Sequence, residues 1–128
     1  MPGYVYYVYI MASHRRTLYT GVTNFLRERV FKHKLGTGSK FAARYHCVRC
    51  VHFEVFEEIV DAIAREKEIK AWRRSKKIKL IEATNPEWCD HFAWLDEHVQ
   101  AHLKSNLEEV MAARAEMLSS IRNTQADF

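Results

Sequence analysis

Glycine, proline and cysteine are scarce in this chain, and it has no long apolar run. Its 128 residues include four Gly, two Pro and three Cys. So little Gly and Pro excludes collagen-like, mucin-like and wholly disordered classes. Three cysteines, an odd number, argue against a disulfide framework and for reduced thiols in a cytoplasm. The most apolar stretch, residues 4–12, is far shorter than the roughly 20 residues that span a bilayer, so no membrane partner is expected. No basic segment precedes it, which argues against a signal peptide. The chain is 48% hydrophobic and 28% charged, as expected of one soluble domain with a real core.

The net charge of +4 hides an uneven distribution. Residues 1–81 carry 17 Lys or Arg against 7 Asp or Glu, whereas residues 82–128 carry 3 against 9. A basic body is therefore joined to an acidic tail. A field of that sign attracts polyanions, and nucleic acid is the commonest partner of that kind.

Because Gly, Pro and Asn are so sparse, each marks a boundary. Residues 4–11 (YVYYVYIM) are dense in Tyr, Val and Ile and read as a strand, and residues 17–22 (TLYTGV) as its hairpin partner. A loop at residues 12–16 sets Met11 against Thr17 and Tyr9 against Tyr19. Asn24 reads as an N-cap for a helix that ends before Gly36. At about 100° per residue, His33 falls on the apolar stripe of Leu26 and Val30, with Arg29 at its edge. Residues 36–46 read as a basic loop. Residues 48–56 read as a third strand, with Val51, Phe53 and Val55 on one face.

A second helix is expected over residues 58–72, with Ile59, Ile63 and Ile69 on its apolar arc and Glu66 inside that arc. A carboxylate facing a core is costly unless it meets a cation, a hydrogen-bond network or a metal. A third helix, residues 75–83, precedes the Asn85-Pro86 break. The order of elements gives an α+β fold: a small three-stranded antiparallel sheet flanked by helices. From about residue 95 to 121 a last amphipathic helix, about 40 Å long if continuous, exceeds what a compact domain of this size needs. The expected division is a domain at residues 1–95 and an acidic helical extension at 96–128. The 96–122 helix is a candidate surface for a homodimer or a partner protein.

Tyr9, Tyr19, Arg29, His33 and Glu66 are then five polar groups expected toward one sheet face, where neutral packing would use Phe, Leu and Val. In order along the chain, Tyr7-Val8-Tyr9, Tyr19-Thr20-Gly21, Arg29 and His33, Arg65-Glu66, and Asn85-Pro86-Glu87-Trp88 resemble the GIY-YIG nuclease superfamily. The nearest resemblance is to its small bacterial stand-alone members, which resemble the nuclease domain of the excinuclease C subunit. It covers roughly residues 4–95.

The resemblance implies metal-dependent hydrolysis of DNA phosphodiesters, in repair or processing, leaving a 5′-phosphate and a 3′-hydroxyl. It implies that Tyr9 activates the attacking water with support from Tyr19. Arg29 would neutralise phosphate charge, His33 would relay or position a proton, and Glu66 would hold Mg²⁺, with Mn²⁺ as the alternative ion. Asn85 matches a structural or substrate-positioning Asn. Three departures bear on substrate fit: the first motif lacks its usual Gly, Thr20 stands mid-motif in the second, and Phe25 occupies a position often acidic in relatives.

The chemistry of these residue types fits independently of the name. A hard cation with few protein ligands keeps its waters and takes phosphate oxygens directly, so one carboxylate suffices. A phenol with pKa about 10 is a poor base at neutral pH unless cations lower it.

A rim of Arg15, Arg16, Lys32, Lys40 and Arg44, continued by Lys70, Arg73, Arg74, Lys76 and Lys77, is expected to track DNA phosphates, RNA being the alternative polymer. The Cys47/Cys50 and Cys89/His91 pairs do not have zinc-finger spacing. The competing functional reading is a non-catalytic nucleic-acid-binding or adaptor module on the same scaffold.

Overall fold

The protein is described here by a computed structural model covering residues 4–126. Three strands, β1 (Tyr6–Ala12), β2 (Leu18–Thr23) and β3 (Arg49–Phe56), form one antiparallel sheet in the order β2-β1-β3. Helices α1 (Leu26–Leu35) and α2 (Lys40–Arg44) lie between β2 and β3 in sequence, and α3 (Ile59–Ala71) and α4 (Arg74–Thr84) follow. A short 3₁₀ turn, Ala93–Leu95, precedes α5 (Asp96–Ala126). The expected α+β class, with its three-stranded sheet and C-terminal helix, is what is found. The chain divides into two compact units between Leu95 and Asp96. Among the described residues, no helix is long and apolar enough to cross a membrane.

Strand alternation sorts the first unit into two cores. Val8, Ile10 and Ala12 point to one face, where they bury with Val51, Ala62 and Ile69 of α3, Ile81 of α4 and Trp88. Tyr9 and Met11 point to the other, with Leu26 and Val30 of α1, Ala42 of α2, and Cys47 and Cys50.

Several local expectations are corrected. The hairpin turn closes through Ser13 N–H to the Thr17 carbonyl at 3.0 Å and places Met11 opposite Tyr19 and Tyr9 opposite Gly21. The register is thus two residues from the expected one. A two-residue shift preserves the face, so Tyr9 and Tyr19 remain on the same side as diagonal neighbours.

The pairing of β1 with β3 is irregular between Ile10 and Met11, where Ile10 opposes His52 and Met11 opposes Cys50. Val51 is the extra residue, and this bulge joins it to the Val8 face while Phe53 stays opposite Tyr9. Val51 and Phe53 therefore do not share a face.

Asn24 is not the N-cap of α1. Phe25 takes that position without a side-chain cap, and its N–H is accepted by Thr23 Oγ1 at 3.1 Å. Gly36 does end the helix, at φ 82°, a left-handed conformation that suits glycine. The expected loop at 36–46 contains α2, capped by Ser39. On α3 the buried positions are Ala62 and Ile69, while Ile59 and Ile63 are exposed.

Candidate active site

The site is built on the β-hairpin and α1. Tyr9, in the middle of the central strand, is buried, and so is His33, two turns along α1 from Leu26. Tyr9 Oη and His33 Nε2 are 2.8 Å apart. Tyr19 closes the group, with its ring centroid 5.1 Å from that of His33 and 6.3 Å from that of Tyr9.

Two glycines make this packing fit. A Cβ on Gly21, the residue opposite Tyr9, would lie 2.5 Å from Tyr9 Oη. A Cβ on Gly38 would lie 2.7 Å from His33 Nδ1. Nδ1 is itself buried and has no hydrogen-bond partner among the described residues. Gly38 is the contact that sequence reasoning missed; its only signal there was a second Gly in a polar loop.

Burial dominates the electrostatics. Desolvation pushes the Tyr9 phenol above its ordinary range, helped by the neighbouring Tyr19 phenol and opposed by Arg29. Desolvation also lowers His33 from 6.5 to about 4, and the Arg29 charge lowers it further. At neutral pH the pair is therefore a neutral phenol on a neutral imidazole. Of the cations expected to bring the phenol down, Arg29 acts in that direction, and burial outweighs it. Arg29 and Lys32 line an open cleft beside α1 with Thr23, Asn24, Phe25 and Glu28.

Glu66 is placed differently from the expectation. Helix α3 packs on the Val8 and Ile10 face, so four of the five groups lie toward one face and Glu66 belongs to a helix on the other. That helix packs against β1 and also against the edge strand β2, which carries Tyr19. The Glu66 carboxylate is largely buried and meets Lys70 Nζ at 2.6 Å, the cation that an inward acid requires. Lys70 is therefore occupied by Glu66, not standing free for phosphate.

Among the described residues no cluster of three His, Cys, Asp or Glu side chains is found. One carboxylate, shared with a half-exposed ammonium, does not make a four-ligand zinc site, whereas a hard divalent cation that keeps most of its waters needs no more protein donors than this.

The remaining candidates fall into groups. Asn85 is buried and its amide is fully engaged: Nδ2–H donates to the carbonyls of Val51 and Cys89, and Oδ1 accepts from Cys89 N–H. It anchors the segment after α4 to β3, in keeping with the structural alternative of the expectation. Asp90 in that segment accepts from Cys50 N–H and meets Lys34 at 2.5 Å in a buried ion pair.

Arg15 and Arg44 share a cleft, Arg16 lies 4.5 Å over the Trp88 ring, and Lys76 lies 4.3 Å over Trp72. Lys32, Lys40, Arg73 and Arg74 are exposed, and Lys77 is half-buried. Cys47 and Cys50 are core thiols, and burial pushes Cys50 up to about 12.

A three-stranded sheet with helices on both faces, holding a phenol against an imidazole at one of them with the Arg29 charge acting on both, defines a small α+β domain with one candidate reactive face. Residues 5–79 match the GIY-YIG catalytic domain, and the chain belongs to that family.

Its relatives are small proteins. It is 42% identical over 77 residues to a UPF0213 protein of Haloquadratum walsbyi, covering 60% of this chain and 86% of that one. It is 38% identical over 76 residues to a UPF0213 protein of Staphylococcus saprophyticus, covering 59% and 93%. A solution NMR structure of a UPF0213 protein from Bacillus halodurans aligns with a TM-score of 0.46 and 28% identity, over 72% of this chain and 97% of that one.

Proposed function

We propose that this chain is a divalent-metal-dependent endonuclease that hydrolyses DNA phosphodiester bonds, acting in the cytoplasm in DNA repair or processing. The observation that carries this reading is the buried Tyr9–His33 hydrogen bond beside Arg29. Burial displaces both the phenol and the imidazole from their ordinary titration ranges in one place, the kind of clustering that marks functional sites.

Tyr9 Oη takes a proton from the attacking water while its own proton moves to His33 Nε2, which is neutral and within reach. Tyr19 supports the phenol. Arg29 offsets charge on the phosphate as the phosphorus–O3′ bond breaks, and the leaving O3′ takes a proton from solvent, giving a 3′-hydroxyl and a 5′-phosphate. Glu66 would hold a divalent ion, whose chemistry when bound is Lewis-acid stabilisation of the phosphoryl oxygens. The exposed cations Arg15, Arg16, Lys32, Lys40, Arg44, Arg73, Arg74 and Lys76 would track phosphates, with Lys77 at their margin. Residues 1–95 form the catalytic unit in this reading, and residues 96–128 an appendage.

The test is cleavage of labelled DNA and RNA by the full chain with Mg²⁺ or Mn²⁺, wild type beside Glu66→Gln. Nicking by wild type that is lost in Glu66→Gln, with DNA binding retained, is expected. No cleavage of any nucleic acid under any divalent metal would sink the reading.

One observation favours the adaptor alternative. Helix α5 exposes Leu103, Leu107, Val110, Met117 and Ile121 at three-, four- and seven-residue spacings, the pattern of a helix that pairs with a second copy or another protein. That reading predicts salt-sensitive binding without turnover, and loss of association on truncation after Leu95.

A further inference from the structure

The cleft that contains Arg29 and Lys32 does not end at the cations. Asn24, Phe25 and Glu28 form its wall and also the wall of a second open cleft, which is continued by Tyr7, Phe53 and Phe92. Phe53 stands opposite Tyr9 on β3, on the same face as the candidate site. It meets Tyr7 edge-on at 6.3 Å, Phe92 at 6.2 Å and His91 at 5.7 Å. The cluster is not sealed: Phe53 is 39% exposed and Phe25 60% exposed. Two phenylalanines left in water at the mouth of a groove, with cations at its other end, are a poor choice for packing. Glu28 on the shared wall is paired with Arg27 at 3.2 Å, which moderates its repulsion of an anion.

A nucleotide has this same polarity, an anion at one end and a flat apolar ring at the other. We propose that the Phe25–Phe53 cleft is a nucleobase subsite. A nucleotide whose phosphate lies at Arg29 and Lys32 stacks its base on these rings. In a duplex the faces of a base are covered by its neighbours, so the subsite selects unpaired nucleotides, in single strands, flaps or extruded positions. This inference rests on the proposed nuclease reading and names its substrate class.

The test measures binding of the full chain in EDTA, where no cleavage occurs, by fluorescence anisotropy. Its probes are a short single strand, the duplex of the same sequence, and an abasic strand of equal length with the same phosphates. The single strand binds more tightly than the abasic strand, and Phe25→Ala with Phe53→Ala weakens it about tenfold or more. The abasic strand is unaffected by those substitutions, and Phe53→Tyr restores binding. Equal affinity for strand and abasic strand, equal loss on both, or no binding of any strand overturns the subsite. Because Phe25 is largely exposed, the Phe25→Ala protein alone still reports if Phe53→Ala fails to fold.

The two readings fail separately. An enzyme that cuts duplex and single strand alike keeps the nuclease and loses the subsite. A protein that binds bases but never cleaves does the reverse.

Discussion

The two faces of the sheet are filled by different chemistry. On the α3 face, Val8, Ile10, Ala12, Val51, Ala62, Ile69 and Ile81 are aliphatic, and the polar groups beside them are partnered: Trp88 Nε1–H donates to Glu82 at 2.9 Å, Glu54 meets both His52 and Arg65, and Glu66 meets Lys70. On the α1 face a phenol, an imidazole and two thiols are buried, and the imidazole keeps an unpartnered nitrogen. Apolar burial stabilises at roughly 25 cal/mol per Å², whereas a buried polar group costs 1–3 kcal/mol when unpaired. The α3 face is therefore the stabilising half of the sheet, and the α1 face gives up stability to keep reactive groups dry and ordered.

This contrast is tested most strongly by paired substitutions. Tyr9→Phe removes one oxygen from the α1 face and is expected to lower DNA cleavage by about 10²–10⁴-fold, at a stability cost of about 1–3 kcal/mol for leaving His33 Nε2 unpaired. Ile69→Ala, a fully buried site on the other face, is expected to lower stability by about 2–5 kcal/mol in denaturant titration. Its activity per folded molecule should stay near wild type. If Ile69→Ala removed activity without loss of stability, or Tyr9→Phe unfolded the chain, the division of labour would be wrong.

The Tyr9 position can also be disturbed from beneath. Gly21→Ala puts a methyl where Tyr9 Oη lies, so the ring must move. The expected cost is about 1–3 kcal/mol, with a disproportionate loss of cleavage because Tyr9 Oη leaves His33 Nε2. Chemical shifts of the Tyr9 and His33 rings report the displacement directly. Unchanged ring shifts with full activity would show that the glycine is not needed as a support.

These residues also show where reading the sequence succeeds. The strands were legible from Tyr, Val and Ile alternation, and α1 from its stripe, because local patterns specify local structure. His33 was legible as an inward polar group for the same reason. The hairpin register was not, because the Ser13–Thr17 turn is closed by backbone bonds, by Thr17 N–H donating to the Ser13 hydroxyl and by Arg16 at φ 64°, with none of the Gly, Asn or Pro that usually signal a turn. The bulge at Val51 was illegible too, and it inverts the faces of everything before it on β3. Glu66 was correctly singled out as inward but assigned to the wrong face. Helical periodicity says which side of α3 faces a sheet and says nothing about which side of the sheet α3 covers.

The smallest expected effect separates the two faces by pH. His33 is held below its ordinary pKa, at about 4, by burial first and then by the Arg29 charge, and the Tyr9 phenol against it, itself raised by burial, stays neutral in acid. A depressed folded-state value means that the unfolded chain takes up the proton first as pH falls. His33 therefore contributes stability that is fully present above 6.5 and is lost as pH falls toward 4. Between pH 6.5 and 5 the loss is on the order of 2 kcal/mol.

Other acid-sensitive groups are present, notably the Glu54 carboxylate, which Arg65 and His52 hold low despite its burial. The comparison must therefore be with His33→Gln, which lacks the imidazole and keeps the rest. The wild-type denaturation midpoint should fall more steeply than that of His33→Gln through this interval, while both remain parallel above pH 7. Parallel curves throughout would mean that the imidazole reaches water in the folded protein, and the α1 face would then be no drier than an ordinary surface cleft.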